Sequence, residues 1–398
     1  MIDTVILSVP FGKYQILEPR RFNPPTFFVE EHIKAMKLKA FTSYIQNPEK
    51  ITYSNGKYAP RLTIYVRPRK KGMIGKFPYE IPLKIEFSAP KLLYQNNLDE
   101  LTDKDFNNVI NVLHTRLMEM GVFVKIADLI EAQVNTIHFS KNILLSDFYS
   151  ASLAIRELYK LDASKWLDIN KRHFQNHGHA LYFDSTSYSM VFYDKLKDAT
   201  ETQRHSVDKE KTSYQLNLFK HFKEKKEPLE VLRYELRVVK KQKLNSLLKQ
   251  LGYKENPTFQ DVFNSELSKE LLLKQWKTIY PSETRFMLQF DEGDLGKTLE
   301  SIVNYHKQNK KRITVKNALA LLGIIHYAKK EGIRPVRNKV SSVFSERTWY
   351  RAKKLFNDAN LLLLNNKSFG FVKDIEDTLS SFTPFKAKDL LYTEGAMQ

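Results

Sequence analysis

Arg233, Glu235 and Arg237 recur at every second position of Arg233-Tyr234-Glu235-Leu236-Arg237. On a strand, alternate side chains share a face, so the three charges point one way while Leu232, Tyr234 and Leu236 point the other. A carboxylate between two guanidiniums is either a structural ion-pair ladder or a metal ligand beside phosphate-binding arginines. His138 in Ile137-His138-Phe139 and Glu86 in Ile85-Glu86-Phe87 lie in similar apolar-flanked runs. Each alone reads as a satisfied sheet residue. Together with Glu235 they form one imidazole and two carboxylates that could hold Mg²⁺ or Mn²⁺ on one sheet without thiolate. Lys195, ending Tyr193-Asp194-Lys195, could neutralise phosphate charge beside them.

A nucleophile is harder to choose. Tyr214 is one of 20 tyrosines, and with Leu218 and Phe222 it shares a face at helical spacing, which fits an aromatic side chain packed on a sheet. Its chemical alternative is a phenol that attacks a phosphodiester and conserves the bond energy as a phosphotyrosine ester.

The elements that must position these groups are legible from periodicity. Strands are predicted at Asp3 to Val9, Arg61 to Arg67, Leu83 to Ser88, Glu131 to Phe139, Ala180 to Phe183, Ser189 to Tyr193 and Val231 to Val239. The strands ending at Phe183 and starting at Ser189 suggest a hairpin. Phe106, Val109, Ile110, Leu113 and Leu117 make one apolar helical stripe behind a Thr102 or Asp103 cap, and a second helix from about 147 to 159 is expected to start at Ser146. A lysine-rich helix should span about 208 to 225. From 242 onward the predicted elements are helices at about 242 to 250, 259 to 278, 294 to 309, 315 to 330 and 345 to 358, with a loop bearing Gly332, Pro335 and Asn338 between the last two.

This pattern predicts an α+β protein: an antiparallel-sheet domain over residues 1–255 and a helical domain over 256–398. The chain carries 64 Lys and Arg against 45 Asp and Glu, a net charge of +19, which calls for a polyanionic partner. Residues 307–354 hold 14 basic side chains and only two acids, so +12 of that charge is concentrated there. In the helix starting near Ser345, Arg347, Tyr350, Arg351 and Lys354 share one face while Trp349 faces the preceding helix with its Leu321, Leu322 and Ile325, a helix-turn-helix-like arrangement.

Of 398 residues none is cysteine, which excludes disulfide scaffolds, thiolate zinc sites and cysteine nucleophiles. The longest strongly apolar run, Ala318 to Ala328, is too short to cross a bilayer, and the N-terminal strand lacks a basic leader, so a cytoplasmic protein with no membrane partner is expected.

Several of these segments, in this order, resemble the phage and plasmid replication initiators of the filamentous-phage gene II and gene X type. They are Met1-Ile2-Asp3-Thr4-Val5, Glu86-Phe87-Ser88-Ala89-Pro90-Lys91, Tyr193-Asp194-Lys195 and Arg233-Tyr234-Glu235-Leu236-Arg237, with the helix Ser345-Glu346-Arg347-Thr348-Trp349-Tyr350-Arg351 more loosely. The resemblance implies a rolling-circle initiator that nicks one strand of a double-stranded origin, stays attached to the 5′ end through tyrosine and rejoins the displaced single strand. It implies Tyr214, in Thr212-Ser213-Tyr214-Gln215, as nucleophile, and a host helicase, polymerase and single-strand-binding protein as partners. Where related proteins have Ile-Asp, this chain has Ile137-His138. His177-Gly178-His179 resembles the paired-histidine metal motif of rolling-circle nucleases, with glycine at its centre. The competing expectations are a non-catalytic sequence-specific DNA-binding protein, and a metal-dependent nuclease that activates water and forms no adduct.

Overall fold

The computed structural model describes residues 1–26, 42–46, 57–68, 79–146, 149–161, 171–198, 218, 229–281, 285, 288, 295–308, 312–343, 345–351, 354 and 369–387. The fold is α+β. Among the described residues the strands are β1 (Ile2–Val9), β2 (Tyr14–Ile16), β3 (Thr42–Gln46), β4 (Arg61–Pro68), β5 (Tyr79–Glu80), β6 (Leu83–Ser88), β7 (Val122–Val124), β8 (Gln133–Leu144), β9 (Lys171–Gln175), β10 (Ala180–Asp184), β11 (Tyr188–Asp194) and β12 (Val231–Val238). Ten of them form one antiparallel sheet in the order β3-β4-β6-β1-β8-β12-β11-β10-β9, with β5 pairing with the end of β4. β10 and β11 form the expected hairpin, closed by Ser185 N–H to the Tyr188 carbonyl at 2.9 Å.

Period-two alternation gives the sheet one apolar face. Val5, Leu7, Ile85, Phe87, Phe139, Leu236, Tyr234 and Phe192 are buried in a single core. Val134 and Ile137 both enter it although they are three apart, because the β1–β8 register slips between Leu7↔Val134 and Ile6↔Thr136 and leaves Asn135 as an extra residue. Helix α1 (Ala89–Tyr94) leads to α2 (Phe106–Glu119), whose predicted stripe of Val109, Ile110, Leu113 and Leu117 is buried. Its capping box is built by Thr102 and Asp105. After α3 (Ile126–Ile130), helix α4 (Ala151–Leu158) is capped by Ser150, not Ser146, whose N–H and hydroxyl instead meet Asp374 at 2.9 and 3.0 Å.

The short α5 (Lys195–Asp198) follows β11 directly, and α6 (Lys241–Gln250) follows β12. The predicted helix 259–278 is two helices, α7 (Phe259–Val262) and α8 (Ser265–Ile279), because the Asn264 side chain accepts from Leu267 N–H and starts a new one. Phe259 packs against Phe87 and Phe106, and Trp276 against Phe192. Helix α12 (Gly370–Ser381), reached after α9 (Leu295–Gln308), α10 (Val315–Glu331) and α11 (Ile333–Val343), buries Phe371, Val372, Ile375 and Leu379 in the same core. The expected boundary near 255 thus falls inside this core: Thr258 bridges to Gln133 on β8, and residues well beyond it fill the layer under the sheet.

The expected loop at 332–338 is α11. Pro335 lies in its first turn, where a missing N–H costs nothing, and Val336 is buried. Residues 346–351 and 354 are helical, with Arg347, Tyr350, Arg351 and Lys354 exposed and Trp349 buried, and the Ser345 hydroxyl accepts from Thr348 N–H at 3.2 Å. Among the described residues no helix is long and apolar enough to cross a membrane.

Candidate functional site

The other face of the sheet carries the polar residues. Directly opposed pairs share a face, so Arg237↔His138, Glu235↔Ser140, Arg233↔Asn142 and Tyr193↔Arg233 gather their side chains on one surface of β8, β12 and β11. At its centre is the buried Glu235. Its Oε1 accepts from the Tyr193 hydroxyl at 2.6 Å and Arg233 Nε at 2.7 Å. Its Oε2 accepts from Arg237 Nε at 2.8 Å and Nη2 at 2.7 Å.

Arg233 is enclosed, its side chain 2% exposed. Besides Nε, its Nη1 donates to the Asn97 carbonyl at 2.7 Å and Asn142 Oδ1 at 3.1 Å. Nη2 meets Ser140 Oγ at 2.9 Å and Asp3 Oδ2 at 2.9 Å. A guanidinium has five N–H donors, and all five are committed. The expectation that Arg233 stabilises charge on a phosphate is therefore corrected: it is a structural cation within the cluster. Arg237, 25% exposed, is the arginine that reaches the surface.

Burial alone would raise the Glu235 carboxyl, but Arg237, Arg233, His138 and Lys195 outweigh it and hold it well below the usual carboxylate range. The same opposition keeps Arg233 charged: burial favours loss of its proton, while Tyr193, Asp3, Glu235 and Glu100 favour retention. Lys195 is buried, with Nζ 5.5 Å from the Tyr193 ring centre. Among the described residues the cluster sets Arg233, Arg237, Lys195 and the His138 imidazole against Glu235 and Asp3, a local excess of positive charge.

The predicted metal trio is only partly assembled. His138 neighbours Glu235, but Glu86 pairs with Ile6 on β1, so three interstrand steps separate β6 from β12, roughly 14 Å across the sheet before the offset along the strands is added. Glu86 and Glu235 cannot share a cation whose oxygen ligands lie at about 2.0 to 2.6 Å. Glu86 stands opposite Arg61 instead. Among the described residues no three His, Asp or Glu side chains converge as a metal site.

His177 and His179 belong to the turn joining β9 and β10, two strands from β12. Asn176, His177 and Gly178 there have φ of 51°, 52° and 88°. His179 Nδ1 lies 3.4 Å from the Ser152 hydroxyl. Tyr214 lies outside the described residues. Arg347, Arg351 and Lys354 are exposed on their own helix.

Asp3, Asn97, Ser140, Asn142 and Tyr193 were not singled out as site residues from the sequence. Alternation along β8 places Ser140 and Asn142 on the His138 face and could have found them, whereas Asp3 and Asn97 meet Arg233 through tertiary contacts that no local pattern reveals. A comparison with protein families, curated proteins and solved structures finds no match.

Proposed function

We propose that the chain is a rolling-circle replication initiator of the gene II and gene X type, nicking one strand of a replication origin through a covalent tyrosine-DNA intermediate and rejoining the displaced strand. The observation that carries this reading is the polar face of β8, β12 and β11, where Arg237 reaches the surface and, with Arg233, His138 and Lys195, surrounds Glu235, a cationic setting suited to a phosphodiester. The nucleophile implied by the resemblance, Tyr214, lies outside the described residues.

In this mechanism the Tyr214 phenol oxygen bonds to the scissile phosphorus, the bond from phosphorus to the 3′ oxygen breaks, and the 3′ end leaves as a hydroxyl. The phenol proton passes to solvent base, and the departing 3′ oxygen takes a proton from solvent water. Arg237, which reaches the surface, stabilises charge developing on the phosphate oxygens, the buried Lys195 adds positive potential behind it, and Glu235 holds Arg237 in place. Attack by a 3′ hydroxyl on the phosphotyrosine reverses the step and rejoins the strand. A Mg²⁺ or Mn²⁺ requirement belongs to this reading, but Glu86, His138 and Glu235 do not converge as its ligands. The roles given above rest on the chain's own side chains.

The basic segment supplies duplex recognition. α10, α11 and the helical residues 346–351 and 354 supply this surface, the last presenting Arg347, Arg351 and Lys354 to origin DNA. The host replication machinery and a cytoplasmic location follow from the same reading. The rival, a non-catalytic DNA-binding protein, is favoured by one observation: both Glu235 oxygens are saturated by protein donors, as in a structural ion-pair lock.

The test is incubation with supercoiled replicon DNA and Mg²⁺, with and without EDTA. A detergent-resistant adduct mapping to Tyr214, lost in Tyr214→Phe with origin binding retained, is expected. An undiminished adduct in that variant would remove Tyr214 from the reaction, and origin binding with no adduct from the unaltered protein would favour the rival.

A further inference from the structure

Lys141 and Glu100 form an ion pair with side chains only 1% and 4% exposed. Such a pair is costly unless its remaining hydrogen-bonding capacity is filled. Here the chain just beyond α12 fills it. Lys141 Nζ donates to the Thr383 carbonyl at 2.5 Å, and Phe385 N–H donates to Glu100 Oε2 at 3.0 Å while its carbonyl accepts from Glu100 N–H at 2.9 Å. Ala387 N–H meets Asp99 Oδ1 at 2.6 Å, and Lys386 Nζ meets the Tyr94 hydroxyl at 2.9 Å. Residues 382–387 are therefore a strap tied to residues 94–100 by backbone groups as well as side chains.

The same carboxylate reaches the candidate site. Glu100 Oε1 accepts from Asn142 N–H at 2.5 Å. The Asn142 side chain then bridges the Leu98 carbonyl at 2.7 Å and Arg233 Nη1 at 3.1 Å, and Arg233 Nε holds Glu235. One oxygen of Glu100 grips the strap and the other grips the strand beside Arg233. Ala387 is also buried in the cluster that contains Leu98, Leu196, Leu218 and Val231.

We propose that Lys141 and Glu100 are positioning residues that couple docking of the 382–387 strap to the placement of Arg233 and Glu235. The strap follows the basic helices and α12 in the chain, so the coupling joins the DNA-recognising end of the chain to the nicking site. The catalytic consequence rests on the nickase reading, whereas the coupling itself does not.

The test uses the full chain carrying Ala387→Asp, which places a second carboxylate beside Asp99 in an apolar cluster, with Ala387→Ser as the conservative control. Strap release is read by trypsin cleavage after Lys386. The Arg233 Nε–H is followed by hydrogen exchange in arginine-labelled protein, its signal assigned by loss in Arg233→Lys, with partly buried Arg116 on α2 as internal reference. Release should accelerate Arg233 Nε–H exchange about tenfold while Arg116 is unchanged. Tyrosine-adduct formation should slow about tenfold with origin affinity within about twofold, and the serine control should behave as the unaltered protein. A freed strap with unchanged Arg233 exchange, or equal acceleration at Arg116, overturns the proposal. Should Ala387→Asp fail to fold, Phe385→Pro, which removes the strap N–H that Glu100 accepts from while leaving Lys141 and Glu100 in place, frees the strap and is judged by the same readouts. Absence of any adduct from the unaltered protein would count against the nickase reading alone, and the exchange comparison still decides the coupling.

Discussion

At the scale of single residues, Glu235 is held by charges and not by its surroundings. Replacing it with glutamine preserves shape but leaves Arg233 and Arg237 without their shared counter-charge in a buried site. Removing one partner of a buried ion pair costs about 3 to 5 kcal/mol, so Glu235→Gln should unfold at markedly lower denaturant concentration. The pH dependence follows with a definite sign. Glu235 and Glu100 both titrate lower in the folded chain than when unfolded, the first through Arg237 and Arg233 and the second through Lys141, each against the opposing effect of burial. Their stabilisation is complete above the unfolded glutamate value of about 4.3 and is lost progressively as pH falls below it. Urea titrations at descending pH should show the unaltered protein losing stability through that range and Glu235→Gln losing less. Equal slopes would mean that the cluster is not ionised as described. The Arg233, Glu235, Arg237 alternation was legible in the sequence. That Arg233 is fully enclosed was not, because its partners Asp3, Asn97, Ser140 and Asn142 come from remote segments.

At the scale of elements, strands whose apolar residues alternate were found to within about a residue of their ends except β8, expected at Glu131 to Phe139 but running Gln133–Leu144 through Ser140 and Asn142, and the α2 stripe was read in full. The strands Thr42–Gln46 and Lys171–Gln175 were not foreseen: both stand at the ends of the sheet order and hold few apolar residues, so no period-two apolar signal marks them. Gly332 and Pro335 read as loop punctuation, yet Gly332 only ends α10 and Pro335 sits at the start of α11. The glycine has a specific reason to be there. Its φ of 94° and ψ of 162° lie in a region that side chains avoid, and an added Cβ would come within 2.9 Å of the Lys160 carbonyl oxygen. Gly332→Ala should therefore destabilise by about 1 to 3 kcal/mol, measurable as a lower thermal midpoint. A neutral effect would show that the junction between α10, α11 and the Lys160 turn is looser than this close approach requires.

At the scale of the molecule, charge and fold are divided differently. The core runs continuously from β1 to α12, but residues 307–354 alone carry a net +12 of the total +19. If that segment grips duplex DNA, association releases counterions, and each lysine or arginine on a phosphate adds about one unit to the slope of log affinity against log salt. Arg347, Arg351 and Lys354 present such charges on one exposed helical face, whereas Arg233, though at the candidate site, contributes none because its donors are all taken. The triple variant Arg347→Ala, Arg351→Ala, Lys354→Ala should therefore bind origin duplex more weakly and with a slope smaller by up to about three units. It should still form the tyrosine adduct on a single-stranded origin oligonucleotide, where the helical unit is not needed. Titration by fluorescence anisotropy at several salt concentrations measures the first effect and adduct yield the second. An unchanged slope would move duplex recognition away from this helix, and a lost adduct would place these residues in the strand-cleaving machinery itself.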